Sequence, residues 1–410
     1  MSRILITNCK SIVQIDRTNI VKGKEMAHLP GIDDAWLLIE DDKIHSYGSM
    51  KNVPDSSNTD VIDGTGRYVF PTWCDSHTHI VFAGSRETEF VSKILGLSYE
   101  EIAKQGGGIL NSAKKLATTS EDELFDSAWI RLEEMKHTGT GAIEIKSGYG
   151  LSYESELKML RVIKRIKEKS NLTIKATFLG AHAVPTEFRE RRSEYVDLLV
   201  NRLLPEIVNE GLADFNDVFC DRGFFTVEET DRILAAGNKL GLQPKIHANE
   251  LDYSGGIQVG VKYGARSVDH LEFTGEEEIK CLLNSTTMPT LLPSTAFFLK
   301  LHYPPARNMI DAGLPIALAS DHNPGSSPSG KMQFIISLAC LYLKMLPNEA
   351  FNAATINSAY AMDVMNDLGS IAVGKQANVF ITKPISSIDY IPYAFTSQLV
   401  EKVIIKGKVQ

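Results

Sequence analysis

The residues best suited to chemistry stand in the tripeptide His77-Thr78-His79, which lies between two apolar runs at 68–70 and 80–82. If this stretch is a strand, successive side chains point to opposite faces, so His77 and His79 share one face. Two imidazoles at that spacing can chelate one divalent metal ion. The alternative is a chance pair of surface histidines, so the metal hypothesis depends on ligands from elsewhere in the chain.

Further reactive groups stand where other predicted apolar strands end. Six of eight predicted strands end in His, Asp, Glu, Lys or Tyr. A single buried histidine is usually explained by packing, but repetition at equivalent positions indicates an active site on one face. Besides the first pair, the groups are Glu144, Lys146 and Tyr149; His182; His247 and Glu250; Asp269, His270 and Glu272; and Asp321, His322 and Asn323.

A metal site can be assembled from these groups. His77, His79, His247 and Asp321 supply three imidazoles and one carboxylate. This set suits one divalent metal ion, Zn²⁺ or iron (Fe²⁺/Fe³⁺), with an open position for water. Water on such a metal has its pKa lowered to about 7, which makes a hydrolytic nucleophile at neutral pH.

The segment that must position these groups alternates apolar strands with amphipathic helices, the pattern of βα units and a parallel sheet. It predicts an α/β fold, a (β/α)₈ TIM-like barrel, with catalytic residues at the C-terminal ends of the strands. A doubly wound sheet is the alternative, but no glycine-rich phosphate turn follows the first strand. The predicted strands are 68–82, 142–146, 174–180, 215–220, 244–248, 267–271, 288–292 and 315–320, and the predicted helices include 154–169, 190–209, 227–240, 276–283, 306–312, 331–345 and 348–366.

The two termini share a different pattern, in which short alternating strands are separated by Gly and Asp turns. We therefore expect one small β-sandwich domain built from residues 1–66 and 369–410. The barrel would occupy residues 67–368.

Composition restricts the function classes. The 410 residues are 43% hydrophobic and 23% charged, with a net charge of −8, which is ordinary for a globular protein and indicates no nucleic-acid surface. Five scattered cysteines argue against a disulfide scaffold and favour a reducing cytoplasm. The N-terminal apolar run is too short for a secretory signal, and no apolar segment is long enough to span a membrane.

The sequence resembles the amidohydrolase superfamily. The resemblance rests on Pro71-x-x-x-Asp75-x-His77-x-His79, on histidines ending the fifth and sixth strands, on Asp321 ending the eighth, and on the tail segment 369–378. Many members hold two metals bridged by a carboxylated lysine of the fourth strand. Here that strand ends Val218-Phe219-Cys220-Asp221, so we expect a single metal.

Longer motifs resemble the members of that superfamily that act in histidine degradation. The motifs are Glu144-Ile145-Lys146-Ser147-Gly148-Tyr149-Gly150-Leu151, Gly106-Gly107-Gly108-Ile109, Ala181-His182-Ala183-Val184-Pro185 and Asp321-His322-Asn323-Pro324-Gly325-Ser326. The resemblance implies hydrolytic ring opening of 4-imidazolone-5-propanoate to N-formimidoyl-L-glutamate. A homodimer is expected for barrels of this kind.

The implied substrate is a small flat ring with a propionate tail. Arg86 could pair with the propionate through both carboxylate oxygens, although a surface pair with Glu87 or Glu89 is the alternative. Tyr149 and His182 could hydrogen-bond the ring or tail, and Tyr149 lies on a loop that its flanking glycines would let close, unless it only packs that loop. Further expected contacts come from Glu250, Asn323, Gly325 and Ser326.

For the chemical step, Glu250, His270 and Asp321 are the candidate catalytic residues. His270 would help to stabilise the oxyanion, and could instead be a supporting group or a weak fifth ligand. Asp321 or Glu250 would move the proton from water to the leaving nitrogen, and the sequence does not decide between them. The Gly106–Gly108 turn could grip substrate, act as a lid or only be flexible.

Two other functions are compatible with the same residues. One is a related deaminase or cyclic-amide hydrolase acting on a purine or pyrimidine, for which the same metal ligands would serve. The other is a binding protein that has lost its activity on this fold. Arg86 and Tyr149 favour a substrate with an anionic tail, and the complete set of reactive residues argues against the inactive protein.

Overall fold

The computed structural model describes residues 2–97, 101 and 107–410. Within them lie two β-sheets, one formed by the chain ends and one formed by the middle of the chain. The strands of the first sheet are β1 (Arg3–Val13), β2 (Gly31–Glu40), β3 (Lys43–Ser49), β4 (Asp60–Asp63), β5 (Tyr68–Pro71), β15 (Val379–Thr382), β16 (Val400–Ile405) and β17 (Lys408–Val409). Those of the second are β6 (Trp73–Thr78), β7 (Thr140–Lys146), β8 (Thr173–Ala181), β9 (Phe215–Cys220), β10 (Gln243–Pro244), β11 (Ile246–Ala248), β12 (Ser267–His270), β13 (Met288–Leu291) and β14 (Ala317–Leu318).

The second sheet is a parallel barrel in which neighbouring strands follow one another along the chain, from β6 to β14. The last segment returns to the first strand and nearly closes the cylinder. The amide of Asp321 donates to the carbonyl of His77 at 2.9 Å, and the amide of His79 donates to the carbonyl of His322 at 2.9 Å. Below this pair, the Asp75 carboxylate accepts from the amide and the hydroxyl of Ser320. The predicted fold class is therefore confirmed.

Most helices follow the barrel strands and cover the outside of the cylinder, while the short helix Tyr390–Tyr393 lies between β15 and β16 of the first sheet. In the described part of the chain they are Glu87–Ile94, Ile109–Thr118, Glu121–His137, Tyr153–Lys169, Arg192–Leu198, Leu204–Asn209, Val227–Lys239, Gly256–Lys262, Glu276–Leu283, Pro293–Leu299, Ala306–Asp311, Met332–Tyr342, Pro347–Asn352, Ser358–Ala361 and Tyr390–Tyr393. Two π-helical turns, Leu199–Leu203 and Ala353–Asn357, join the segments on either side of them. No helix in the described ranges is long and apolar enough to cross a membrane.

The two sheets meet at an aromatic cluster. Phe70 of β5 stacks on Phe380 of β15 with ring centroids 5.2 Å apart, and Trp73 of β6 lies 4.8 Å from Phe380. Phe351 of the helix Pro347–Asn352 completes the cluster. The predicted strand 68–82 is thus two strands, because the chain passes from one sheet to the other at Thr72.

Candidate active site

Three buried histidines converge at the C-terminal end of the barrel. His77 and His79 stand at the end of β6 and His247 on β11, and one ring nitrogen of each lies within 4.8 Å of the other two. The Nε2 atoms of His77 and His79 are 3.3 Å apart. Alternation along a strand explains the first pair, and the third comes from β11, which lies across the barrel from β6.

Aspartates on other barrel strands hold two of these rings, each in a fixed orientation. His77 donates from Nδ1 to Asp269 Oδ2 at 2.6 Å, and His247 donates from Nδ1 to Asp217 Oδ2 at 3.0 Å. With Nδ1 protonated, Nε2 of each ring carries its lone pair toward the shared space. This arrangement is typical of metal-binding histidines, whose second nitrogen is fixed by a carboxylate.

Asp321 lies at the same point. Its Oδ1 is 3.5 Å from Nε2 of both His77 and His79, while its Oδ2 accepts from the hydroxyl of Thr295 at 2.5 Å. Its backbone is in the left-handed region, with φ at 51°. Burial raises the pKa of Asp321 to about 6.

This geometry fits a divalent metal ion. Burial, reinforced by neighbouring charged groups, lowers the pKa of both His77 and His79 well below the ordinary value, so the rings are neutral, as metal ligation requires. Nε2 of His247 is buried and has no hydrogen-bond partner among the described residues. Buried polar atoms without partners are costly, and a cation among three lone pairs would remove that cost.

A buried cluster of charges lies directly beneath the histidines. Lys146 donates to Glu144 Oε1 at 2.6 Å and to Asp217 Oδ2 at 2.8 Å, and its Nζ lies 3.7 Å from Asp269 Oδ2. Lys245 pairs with the other oxygen of Glu144. Although burial alone lowers the pKa of Lys146, the surrounding carboxylates hold it above its ordinary value. Lys146 therefore stabilises the two carboxylates that orient His77 and His247.

His270 borders the site and faces two further carboxyl groups. Its Nδ1 lies 3.6 Å from Glu250 Oε2 and 3.9 Å from Glu272 Oε2, and its φ is 87°. Burial raises the pKa of Glu250 to about 8, with the nearby Asp321 and Asp221 carboxylates adding to it. Burial, together with Glu250, also raises the pKa of Glu272 well above its ordinary value. The region therefore offers carboxyl groups that hold protons near neutral pH.

Arg86 pairs with Glu89, and it also reaches the loop that follows the eighth strand. Its Nε and Nη2 lie 3.0 and 2.9 Å from Glu89 Oε2, and only 13% of its side chain is exposed. A Cβ on Gly325 would lie 2.2 Å from Arg86 Nη1, so the guanidinium packs directly against this glycine. Arg86 thus forms the ion pair with Glu89 that the sequence offered as an alternative role. It is nevertheless largely buried and also contacts the loop 321–327.

Tyr149 and His182 form one wall beside the metal ligands. The ring of His182 stacks on His79 with centroids 5.4 Å apart and planes 16° apart, and Tyr149 lies 5.8 Å from His79. Nδ1 of His182 donates to the carbonyl of Gly148 at 3.0 Å. Burial and the neighbouring His247 lower the pKa of His182 to about 3, so the ring is neutral.

The loop 321–327 is organised by Asn323. Its Nδ2 donates to the carbonyl of Asp321 and to Ser326 Oγ, and its Oδ1 accepts from the amides of Gly325 and Ser326. The Asn323 side chain therefore braces its own loop. Of the predicted glycine turn, Gly106 lies outside the described residues, while Gly108 donates from its amide to Glu89 Oε1 at 2.9 Å.

Sequence reasoning missed the residues that support the ligands. It assigned no role to Asp217 or Lys245, and it placed Lys146 and Asp269 at strand ends without a supporting role for either. The available signal was an acidic or basic residue inside an otherwise apolar strand, as at Asp217 between Asn216 and Val218. A charge at such a buried position requires a partner, so the residue is expected to face other charged groups inside the barrel.

Comparison with known proteins places these features in a family. Residues 68–410 match the model of the amidohydrolase family. The chain is 56% identical over 407 residues to an imidazolonepropionase of Flavobacterium johnsoniae, with 99% of each chain covered. It is 53% identical over 408 residues to an imidazolonepropionase of Christiangramia forsetii, again with 99% of each chain covered.

Solved structures with the same fold are more distant in sequence. A triazine hydrolase variant matches with a TM-score of 0.72 and 16% identity, covering 100% of this chain and 94% of its own. An atrazine chlorohydrolase of Arthrobacter aurescens in complex with zinc matches with a TM-score of 0.68 and 16% identity, covering 99% and 94%. These similarities support the barrel and its accessory sheet.

Proposed function

The chain belongs to the amidohydrolase family and, within it, to the imidazolonepropionases, and we propose from this membership the reaction and the roles of its residues. The protein is a hydrolase of histidine degradation that opens the ring of 4-imidazolone-5-propanoate to N-formimidoyl-L-glutamate. The observation that carries this function is the identity of 56% to an imidazolonepropionase over nearly the whole chain. The three converging imidazoles supply the corresponding geometry.

A single metal ion would be held by His77, His79, His247 and Asp321. The ligand set contains no thiolate, and it suits zinc or iron, Fe²⁺ or Fe³⁺. When bound, such an ion supplies a Lewis acid and eases the deprotonation of water. Lys146 occupies the floor of the site and already neutralises the carboxylates there, which supports one ion rather than two.

Arg86 would bind the propionate tail. Its Nη1 lies against Gly325, where no side chain intervenes, and Glu89 holds the rest of the guanidinium in place. Tyr149 and His182 would hydrogen-bond the substrate beside His79. The Ser326 hydroxyl and the Gly325 backbone would complete this part of the pocket, whereas Asn323 would act by shaping the loop.

The reaction adds water across the amide bond of the ring. The water oxygen forms a bond to the ring carbonyl carbon, the bond from that carbon to the adjacent ring nitrogen breaks, and the nitrogen receives a proton. His270 would stabilise negative charge on the carbonyl oxygen. Asp321 or Glu250 would accept the water proton and deliver it to the nitrogen. The pKa of about 8 at Glu250 favours the protonated form at neutral pH, which suits delivery of the proton more than its acceptance.

Product analysis tests this function directly. Purified protein incubated with 4-imidazolone-5-propanoate should yield N-formimidoyl-L-glutamate, identified by mass spectrometry, in proportion to its metal content. The release of ammonia without ring opening would instead indicate a deaminase. Retention of the intact substrate by a metal-loaded sample would contradict the proposal.

A further inference from the structure

Glu156 is a buried carboxylate that fastens the loop carrying Tyr149. It stands in the first turn of the helix Tyr153–Lys169 and is closed to solvent. Its Oε1 accepts from the amides of Gly150 at 2.7 Å and Leu151 at 3.0 Å, and its Oε2 accepts from the amide of Gly148 at 3.1 Å. One side chain thus satisfies three backbone donors of the loop 147–151, which would otherwise be buried without partners.

The backbone of this loop requires such support. Gly148 has φ at 104°, and Leu151 has φ at 51°, which a branched side chain rarely adopts. A Cβ on Gly150 would lie 2.5 Å from the amide nitrogen of Glu156, so the loop is packed closely on the start of the helix. From the glycines that flank Tyr149 we expected a loop able to close on substrate. The structure instead shows that this loop is held in place.

The fastened loop leads directly to the predicted substrate wall. The carbonyl of Gly148 accepts from His182 Nδ1 at 3.0 Å, which leaves Nε2 of that ring as an acceptor. His182 stacks on His79, and the ring of Tyr149 lies 5.4 Å from His182. A shift of Gly148 would thus move both residues relative to the metal ligands.

We propose that Glu156 is a positioning residue for substrate binding, which holds the loop 147–151 so that Tyr149 and His182 keep fixed places beside His79. The inference rests on the proposed function, because it concerns the binding of that substrate. Glu156 acts through the loop backbone and does not touch the reacting atoms. A loop ordered before binding lowers the entropic cost of binding, so the effect falls on substrate affinity.

The test compares Glu156→Gln with Glu154→Gln. Glu154 is exposed in the same helical turn, so its change removes an equal charge without touching the loop. Glutamine at 156 keeps the size of the side chain but turns a donor toward one of the three amides. We expect KM to rise about tenfold or more, as the loss of a charged hydrogen bond implies, while kcat changes much less. Glu154→Gln should match the wild type.

Hydrogen exchange of the loop amides, measured together with KM, distinguishes a positioning role from a purely structural one. The amides of Gly148, Gly150 and Leu151 should exchange faster in Glu156→Gln, whereas the strands of the barrel should keep their protection. The KM effects of Glu156→Gln and His182→Gln should be less than additive, because the first acts through the second. Faster exchange with an unchanged KM, or a raised KM with unchanged exchange, would contradict the proposal.

The Glu156→Asp variant and the wild-type protein serve as further controls. If Glu156→Gln does not fold, Glu156→Asp keeps the charge on a shorter side chain, and a KM equal to that of the wild type in this variant would overturn the inference. Wild-type protein is assayed in parallel. A wild type that does not open the ring refutes the proposed function, whereas an active wild type with a Glu156→Gln of equal KM and exchange refutes only the positioning role.

Discussion

At the scale of single residues, His247 is the proposed ligand that most clearly defines the site. Its Nδ1 is fixed by Asp217, and its Nε2 is buried without a partner among the described residues. We expect His247→Ala to lose metal on dialysis and to lose turnover with it, because two histidines and one aspartate remain. Metal content and activity should be measured on the same sample.

The matched control for that change is His137→Ala. His137 is exposed at the end of the helix Glu121–His137, far from the three-histidine cluster in the fold. Its replacement should leave metal content and turnover at wild-type values. A metal-free His247→Ala that still turned over at the wild-type rate would remove the basis of the metal-dependent mechanism.

Arg86 gives a second prediction at this scale. We expect Arg86→Gln to raise KM about 10- to 100-fold, since one hydrogen bond to a charged group contributes roughly 1.5–3 kcal/mol. The effect on kcat should be smaller, because the tail carboxylate takes no part in the bond changes at the ring carbonyl. Steady-state kinetics with 4-imidazolone-5-propanoate measures both constants.

Arg191→Gln is the control, because Arg191 is half-exposed and forms a surface pair with Glu194. It should leave KM unchanged. If Arg86→Gln also left KM unchanged, the propionate would bind elsewhere and the pair with Glu89 would be the whole role of Arg86.

The buried Lys146 gives a third prediction. Lys146→Met would leave Asp217 without an ammonium partner and Glu144 with Lys245 alone, and breaking a buried pair in this way typically costs about 3–5 kcal/mol. The urea midpoint of unfolding should fall clearly, and metal affinity should weaken by roughly 10- to 100-fold, as for other changes behind metal ligands. Chelator competition measures the affinity.

Lys164→Met provides the comparison, since Lys164 is exposed on the helix Tyr153–Lys169. It should change neither metal affinity nor the urea midpoint by much. A Lys146→Met variant that kept wild-type metal affinity would show that the carboxylates hold His77 and His247 without help from the ammonium.

At the scale of elements, the sequence alone predicted the positions of the strands that carry the site. Apolar runs ending in polar residues predicted 215–220 and 244–248, and the structure has Phe215–Cys220 and Ile246–Ala248. The period of two within a strand also placed His77 and His79 on one face. These predictions succeeded because burial and alternation are local properties of the chain.

The supporting residues could not be predicted in the same way, because their partners lie on other strands. Asp217 contacts Lys146 and His247, which are 71 and 30 residues away along the chain. Asp269 meets His77 across the barrel at a separation of 192 residues. Such pairs depend on strand order and register, which no local pattern encodes.

The helix Glu121–His137 allows a stability prediction that should leave chemistry untouched. Ser120 accepts from the amide of Glu123, and the Glu123 carboxylate accepts from the amide of Ser120, which forms a complete capping box. Ser120→Ala should lower the free energy of unfolding by about 1 kcal/mol. Urea unfolding measures the change, and an altered KM would contradict a purely capping role.

At the scale of the whole molecule, three expectations stay predictions. The division into a domain of residues 1–66 with 369–410 and a barrel of 67–368 is supported by the two sheets, although β5 (Tyr68–Pro71) pairs with β1 and β15 rather than with the barrel. A homodimer predicts about twice the monomer mass of 45.3 kDa in light scattering. The cytoplasmic location rests on cysteine usage and composition.

Metal binding should also stabilise the whole fold, because the proposed ligands come from segments far apart in the chain. His77, His247 and Asp321 belong to the first, fifth and eighth strand regions, and the eighth closes the barrel against the first through the amide of Asp321. An ion that binds only the folded state stabilises it by about 2.7 kcal/mol at 100 times its dissociation constant. The temperature of unfolding should therefore fall when a chelator removes the metal and recover when zinc or iron is restored. His247→Ala should show no such dependence, and an identical response in that variant would mean that the stabilising ion binds at another place.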